Sequence, residues 1–345
     1  MGAQGSVTVY GAYGHTGRFV VEELARRGWS PVLAGRDRAR LEKLAAEHPG
    51  AEVRPADVES PTALDAAVAG SRAVVNCAGP FAATARPVLD AALRAGVPYL
   101  DVAAEIEAIL DTFAHADAPA RAAGLPVVPA MAFFGGLGDL LATAALPEGA
   151  TAADEVAIAY GLSSWAPTEG TRAAGRVSRE RRGGKRVVHT GGKLTYLDDP
   201  APTGEVEWEF PGPLGRQPVL AELTMADSVT IPRHVTTPEV RSYMTAVAVR
   251  DLVNPERVRP DRDPDQAFVV DVVVRVGGEE RRAAAAGHDI YGSSAPLVVE
   301  GLERVLDGRL RAGAATSGVL TAGQAFDAAD LLAALPLDVT LPPGG

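Results

Sequence analysis

The chain has 345 residues, of which 47% are hydrophobic and 22% charged, enough apolar material for two cores and too little polarity for bulk disorder. Its formal charge of −11 repels a phosphate backbone and no basic stripe offsets it, so nucleic acid is a poor partner. The one cysteine, Cys77, excludes a disulfide framework. No apolar run approaches the ~20 residues of a membrane span, and no charged leader precedes an apolar segment, so the chain reads as soluble and cytoplasmic.

From residue 7, short β-branched runs alternate with amphipathic stretches. A strand at 7–10 is followed by a helix at 18–27 that Gly28 stops, a strand at 31–34 and a helix at 38–47. After a third strand, Ser60 has the character of an N-cap, with Pro61 at the first position of a helix running to about residue 69. Strands at 73–77, 97–101 and 125–128 alternate with helices, one of them at 86–95 and ended by Gly96. This rhythm predicts a parallel sheet covered by helices on both faces.

Beyond Pro129 the pattern changes. Residues 130–138 (AMAFFGGLG) are small and apolar, suited to a hinge or a pocket wall. Runs at 155–162, 186–197 (broken at Gly191 and Gly192), 205–210, 240–249 and 268–276 predict an antiparallel sheet, interrupted by a helix at 172–182. Pro/Gly-rich loops at 198–218 and Asp/Pro-rich ones at 254–265 separate them, and helices return at 295–306 and 321–334. The expected architecture is α/β: a doubly wound N-terminal domain over 1–130 and an α+β domain with a mainly antiparallel sheet over 131–286. A helical segment over 287–345 is expected to pack back on the first domain.

Residues 7–17 read VTVYGAYGHTG. Gly11 permits a tight turn, Gly14 lets the backbone approach a pyrophosphate, and Gly17 allows close packing of helix on strand. The helix N-terminus then faces the phosphates, with Tyr13, His15 and Thr16 beside them. At the end of the second strand, where NAD-selective sites carry an acid, stand Gly35 and Arg36. A small residue followed by a planar cation leaves room for a 2′-phosphate and holds it, which favours NADP(H). Asp37 is expected to cap the next helix. Asp57 and Val58, after the third strand, and Cys77, Ala78, Gly79, Pro80 and Phe81, after the fourth, complete the expected crevice.

Together YGAYGHTG, LAGR, VVNCAGPF and GVPYLDVAAE resemble the saccharopine dehydrogenase-like oxidoreductases, including their trans-acting enoyl reductase-like members. The resemblance spans the first 140 residues, with echoes at 168–171 (TEGT) and 287–307, and leaves 185–265 unplaced. It implies NAD(P)-dependent chemistry, a Rossmann domain and an α/β domain for substrate and subunit contacts. It places the phosphate loop at Gly11, Gly14 and Gly17, the adenosine side at Arg36 and Asp57, and the ribose side at 77–81. The family's Tyr-x-Asp-x-x-Gly-Glu motif falls on Tyr99, Asp101 and Glu105, with Ala104 replacing the glycine.

The sequence names no unambiguous proton donor. No Tyr-x-x-x-Lys pair is present, Tyr160 being followed by Ser164, and the scattered histidines offer no metal-ligand spacing. Tyr99 and Asp101, at the carboxyl end of a parallel strand, are the leading polar candidates, with a helix N-cap as the alternative role for Asp101. His288, Asp289 and Tyr291 precede the late helix and are candidates to face the cleft, Tyr291 as a catalytic group and His288 as a substrate contact. Phe133 and Phe134 suit an apolar substrate wall or domain packing, and Arg172 an anion contact or a surface ion pair. The basic run over 176–186 reads as a solvated helix face, with an acidic carrier as the alternative. These readings favour an NADPH-dependent reductase of a small molecule at C=N, C=O or C=C, above a non-catalytic NADP-binding regulator or a saccharopine-type dehydrogenase. A homodimer is expected by analogy only.

Overall fold

The computed structural model describes residues 4–198, 203–257 and 259–343. Its first half winds as β1 (Ser6–Tyr10), α1 (His15–Arg26), β2 (Ser30–Gly35), α2 (Arg38–Glu47), β3 (Glu52–Pro55), α3 (Pro61–Val68), β4 (Ala73–Asn76), α4 (Phe81–Ala95), β5 (Tyr99–Asp101), α5 (Ile106–Ala123) and β6 (Pro126–Val128). All pairings are parallel, in the order β6-β5-β4-β1-β2-β3. The order reverses between β1 and β4, which opens a crevice at the carboxyl ends of these strands. Helices cover both faces, so Val7, Thr8, Val9 and Tyr10 are all buried.

Local chemistry sets the boundaries. Ser60 and Asp37 cap α3 and α2 by accepting the amides of Ala63 and Arg40. The fourth helix begins at Phe81 rather than 86, because the Glu105 carboxylate accepts the amides of Phe81 and Ala82 at 2.7 and 3.2 Å. Pro87 therefore lies inside the helix and not at its start.

The second half contains α6 (Gly138–Ala145), β7 (Glu155–Leu162), α7 (Glu169–Arg181), β8 (Arg186–Thr190), β9 (Lys193–Leu197), β10 (Thr203–Glu209), β11 (Arg216–Ala221), α8 (Asp227–Thr230), β12 (Val240–Thr245), α9 (Ala246–Val253), β13 (Ala267–Val276) and β14 (Glu279–His288). It closes with α10 (Ser294–Leu306), β15 (Gly318–Val319), α11 (Ala322–Ala325), α12 (Ala328–Ala333) and β16 (Asp338–Thr340). The second sheet runs β10-β11-β12-β7-β13-β14-β16, with the β8–β9 hairpin on β12.

The second sheet is mainly antiparallel, as expected, with the pairing of β12 with β7 parallel. Elsewhere local expectations are corrected. The run at 240–249 changes to helix at Ala246, and Ala246 and Ala248 are buried on that helix. The Ala-rich β14 was not legible as a strand, since alanine has little β-propensity. Its long register with β13 makes it one. The expected strand at 205–210 is β10, the expected loop around it also holds the start of β11, and residues 199–202 lie outside the described residues. Val258 in the expected loop at 254–265 and the ends of the chain, 1–3 and 344–345, lie outside them as well.

The C-terminal segment is not only helical, because β15 joins β6 at the edge of the first sheet and β16 joins β14 in the second. The expected helix at 321–334 is two short ones, broken where Phe326 takes an extended conformation. Among the described residues no helix is long and apolar enough to cross a membrane.

An ion network fastens α10 to α1. The Arg27 guanidinium bridges Glu23 (2.7 Å), Glu300 (2.7 Å) and Glu303 (2.6 Å), and Trp29 Nε1 donates to Glu303 at 2.9 Å. The groups are largely screened from water, so removing the cation leaves carboxylates poorly compensated. Arg27→Ala is expected to lower the unfolding free energy by roughly 2–4 kcal/mol, measurable by urea denaturation. A loss below ~0.5 kcal/mol, the size of an ordinary surface ion pair, would contradict this role.

Candidate dinucleotide and substrate cleft

The turn from β1 into α1 admits no side chain at Gly11 or Gly17. A Cβ on Gly17 would lie 2.2 Å from the Gly11 carbonyl oxygen, and one on Gly11 would lie 2.8 Å from the Ala78 nitrogen. Gly11 also has φ +81°, a conformation that strains any other residue. Gly14 begins α1 with no side-chain cap. The helix therefore presents its first amides and the positive end of its dipole to the crevice, the arrangement that takes an anion. The donor set fits a pyrophosphate.

At the exit of β2, Tyr13 packs so closely on Gly35 that a Cβ there would lie 2.9 Å from its ring. The Arg40 guanidinium covers the same ring at 4.4 Å. Arg36 is exposed beside them and makes no ion pair or hydrogen bond to the described residues. Asp57, at the exit of β3, is exposed, accepts the Glu59 amide at 3.0 Å, and is followed by half-buried Val58. The Tyr10 hydroxyl donates to the Ala56 carbonyl beneath this corner, and burial pushes its pKa up to about 12. Sequence reasoning named Arg36 for this corner; Arg40, a helical turn into α2 and outside any motif, is a second cation beside it.

The next wall is built on a buried polar network. Asn76 Nδ2 donates to the Tyr99 hydroxyl at 3.1 Å, which donates to Asp101 Oδ2 at 3.0 Å. Asp101 Oδ1 accepts the amides of Ala103 (3.0 Å) and Ala130 (2.8 Å), and its carbonyl accepts the Met131 amide (2.7 Å). Ala130 is held at φ +59° by these bonds. Burial pushes the Asp101 carboxyl up to about 6, against the hydrogen bonds that pull it down, and burial and Asp101 together push Tyr99 well above its usual range. Tyr99 and Asp101, the sequence candidates for catalysis, are thus enclosed and saturated. Asp101 does not cap α5 either. It clasps the exits of β5 and β6.

Over this wall lies the loop 77–81. Cys77 is half-buried, with its thiol pushed up by burial, and Ala78 donates its amide to Asn76 Oδ1. Phe81 is buried, Pro80 half-buried and Gly79 exposed. Helix α7 covers the loop, since a Cβ on Gly79 would meet Ala174 at 3.9 Å. It is clamped to α5 by Glu107, which accepts the Ser178 hydroxyl and lies 3.6 Å from Arg182.

The second domain closes the cleft with Tyr291. Its hydroxyl accepts Trp165 Nε1 and the Thr168 amide, each at 3.2 Å, and lies 2.8 Å from Thr171 Oγ1. Its ring meets that of His15, in the phosphate loop, edge-on at 5.1 Å. Half-buried Phe134 lies 5.3 Å from Trp165 and 5.0 Å from Tyr160. Phe133 is not a wall residue, because it is 3% exposed and packs on Tyr160 and Phe268. The Arg172 guanidinium is turned to the carbonyls of Leu252 (2.8 Å) and Asn254 (2.7 Å), where it anchors a loop instead of facing an anion. His288 stands exposed at the end of β14. Trp165 and Thr168 carried no chemical signal beyond the TEGT echo.

Behind Phe134, the Tyr160 hydroxyl donates to both oxygens of Asp227, at 3.0 and 2.9 Å. Burial pushes the Asp227 carboxyl from 3.8 up to about 7, with Asp139 adding to the effect. No motif marked this pair.

A nucleotide-binding parallel sheet, an anion-ready loop and a second domain closing on it define a two-domain dinucleotide-binding protein. Residues 7–128 match the family model of the saccharopine dehydrogenase NADP-binding domain, a match that supports NADP(H) as the cofactor of this half. The saccharopine dehydrogenase-like oxidoreductase of Homo sapiens is 30% identical over 117 residues, 29% of this chain and 27% of that protein. The trans-acting enoyl reductase of Mycobacterium tuberculosis is 32% identical over 106 residues, 29% of this chain and 25% of that protein. The chain thus matches about a quarter of the length of these relatives. Across the whole chain the fold is similar to apo saccharopine dehydrogenase (L-Glu forming) from Saccharomyces cerevisiae. The TM-score is 0.61 at 11% identity, covering 97% of this chain and 100% of that one.

Two predictions follow from the geometry. Gly17→Ala should abolish measurable NADPH binding in fluorescence titration, because its Cβ forces α1 off β1; retention of wild-type affinity would refute the close-packing argument. For pH, Asp227 binds its proton more tightly in the folded chain than in the unfolded one. Its contribution to stability is therefore present below 3.8 and lost as pH rises through about 7. Asp227→Asn should flatten the fall of the urea midpoint across that window, whereas an unchanged slope would assign the fall elsewhere.

Proposed function

We propose that the chain is an NADPH-dependent reductase of a small, weakly charged organic substrate, acting at a C=N, C=O or C=C bond between its two domains. The observation that carries this reading is the edge-on meeting of the Tyr291 ring with His15, which seats a tyrosine of the second domain beside the phosphate loop of the first while its hydroxyl is held by Trp165, Thr168 and Thr171. Bound NADPH supplies the hydride, and the chain supplies position and a proton.

The Tyr291 oxygen is fixed by two N–H donors, from Trp165 and Thr168, which leaves its own proton for Thr171 or a substrate atom. Thr171 Oγ1 lies 2.9 Å from Thr168 Oγ1, so the hydroxyls continue as a chain along the start of α7. Phe134 and Trp165 exclude water beside this group. Tyr99 and Asp101 serve as positioning residues, through the backbone of 102–103 and 130–131. A saccharopine-type substrate is disfavoured because Arg172, the expected anion contact, is occupied by backbone carbonyls.

The test is to incubate the protein with NADPH and a panel of imines, enones and ketones while following the absorbance of reduced cofactor. Oxidation with at least one class supports the reading, and binding without any oxidation would instead make this an NADP-binding regulator. Tyr291→Phe keeps the ring against His15 and removes the proton. It should lower kcat by about 10²- to 10⁴-fold with NADPH affinity nearly unchanged, and an unchanged kcat would remove Tyr291 from the chemistry. Arg36→Asp should weaken NADPH far more than NADH, by the loss of a charge-assisted phosphate contact, and an unchanged preference would place the 2′-phosphate elsewhere.

A further inference from the structure

The Asp/Pro-rich connection between α9 and β13 does more than join them. Its residues 259–263 lie across the first two turns of α1. The Arg262 guanidinium covers the Phe19 ring at 4.9 Å and pairs with Glu22. Arg259 reaches further toward the phosphate loop: its Nε donates to His15 Nε2 at 3.4 Å, and its guanidinium covers the Tyr291 ring at 4.7 Å. The Arg259 side chain is only 5% exposed. A planar cation of the second domain is therefore enclosed beside the uncapped N-terminus of α1.

We infer that Arg259 is a ligand for the pyrophosphate of the dinucleotide, delivered from the second domain and held until then by Asp289 and Asp263. The inference rests on the cofactor assignment and is independent of which bond is reduced. Arg259 pairs with Asp289, and with Asp263 at 3.4 Å, so it must exchange a carboxylate for the phosphate. Asp289 is built to release it. Its carboxylate also accepts the amides of Tyr291, Gly292 and Asp263, each at 3.2 Å, and stays hydrogen-bonded when the guanidinium turns. The exchange gains an oxygen pair matched to the guanidinium fork, next to helix amides that favour the same anion. Because the strap also grips Glu22 and Phe19, cofactor binding is coupled to the seating of the second domain on α1.

A pyrophosphate contact differs from a 2′-phosphate contact in what it discriminates. Arg259→Ala should raise the Kd of NADPH and NADH by the same factor, about ten-fold or more, leaving their ratio unchanged. It should leave the binding of 2′-AMP, which lacks the pyrophosphate, as in the wild type. Asp289→Asn keeps an acceptor for the turn amides and weakens the tether, so it should tighten both dinucleotides. Titration by protein fluorescence or calorimetry reads these constants, with Arg259→Lys as a milder substitution should the alanine variant melt early. Unchanged affinity for both dinucleotides in a folded Arg259 variant would overturn the inference, and so would a loss confined to NADPH. Failure of the wild-type protein to bind either dinucleotide would instead strike the cofactor assignment itself.

Discussion

The structure turns on one buried carboxylate. Asp101 sits at the end of β5, between the strand exits that carry the cleft walls, and holds the amides of Ala103 and Ala130 on a single oxygen. Those bonds keep Ala130 in a left-handed conformation that alanine avoids, and the chain can then turn from the parallel sheet into the Phe133–Phe134 segment. Among the described residues no cation pairs with this carboxylate, so burial raises its pKa and the amides do the compensating.

Two further contacts make the aim reproducible. At the N-terminal edge, the Arg27–Glu300–Glu303 network binds α10 to α1, and α10 follows directly on the turn that carries Asp289 and Tyr291. At the other side, α7 is held to α5 by Glu107 and Ser178, and its first turn carries Thr168 and Thr171. The C-terminal residues then add a strand to each sheet, so one stretch of chain is built into both domains. Tyr291 and the Thr pair are positioned by elements that each grip the nucleotide domain.

Much of the nucleotide half was legible because its constraints are local. Gly11 and Gly17 are dictated by contacts within a few residues along the chain or on the adjacent strand. Arg36 follows from the chemistry that ends a second strand. The cleft was only partly legible because its partners meet across long separations. Tyr291 was readable as a late polar residue before a helix, but its neighbours Trp165, Thr168 and His15 come from distant parts of the sequence. Tyr99 and Asp101 occupy the sheet edge where ligands bind, yet their side chains turn inward, and only the three-dimensional hydrogen bonds reveal it. Arg172 illustrates the converse: a cation at a helix start suits an anion, and here three carbonyls claim it. The β14 strand escaped because alanine gives no period-2 signal.

A crystal structure of the chain with NADP+ bound would show whether the cofactor of the first domain presents its nicotinamide to the Tyr291 cleft. The expected complex has pyrophosphate oxygens on the amides that open α1, the 2′-phosphate against Arg36, and the nicotinamide between the 77–81 loop and the Phe134–Trp165–Tyr291 wall. A nicotinamide directed away from that wall, with the phosphates seated as described, would contradict the catalytic part of the account and leave the cofactor site standing.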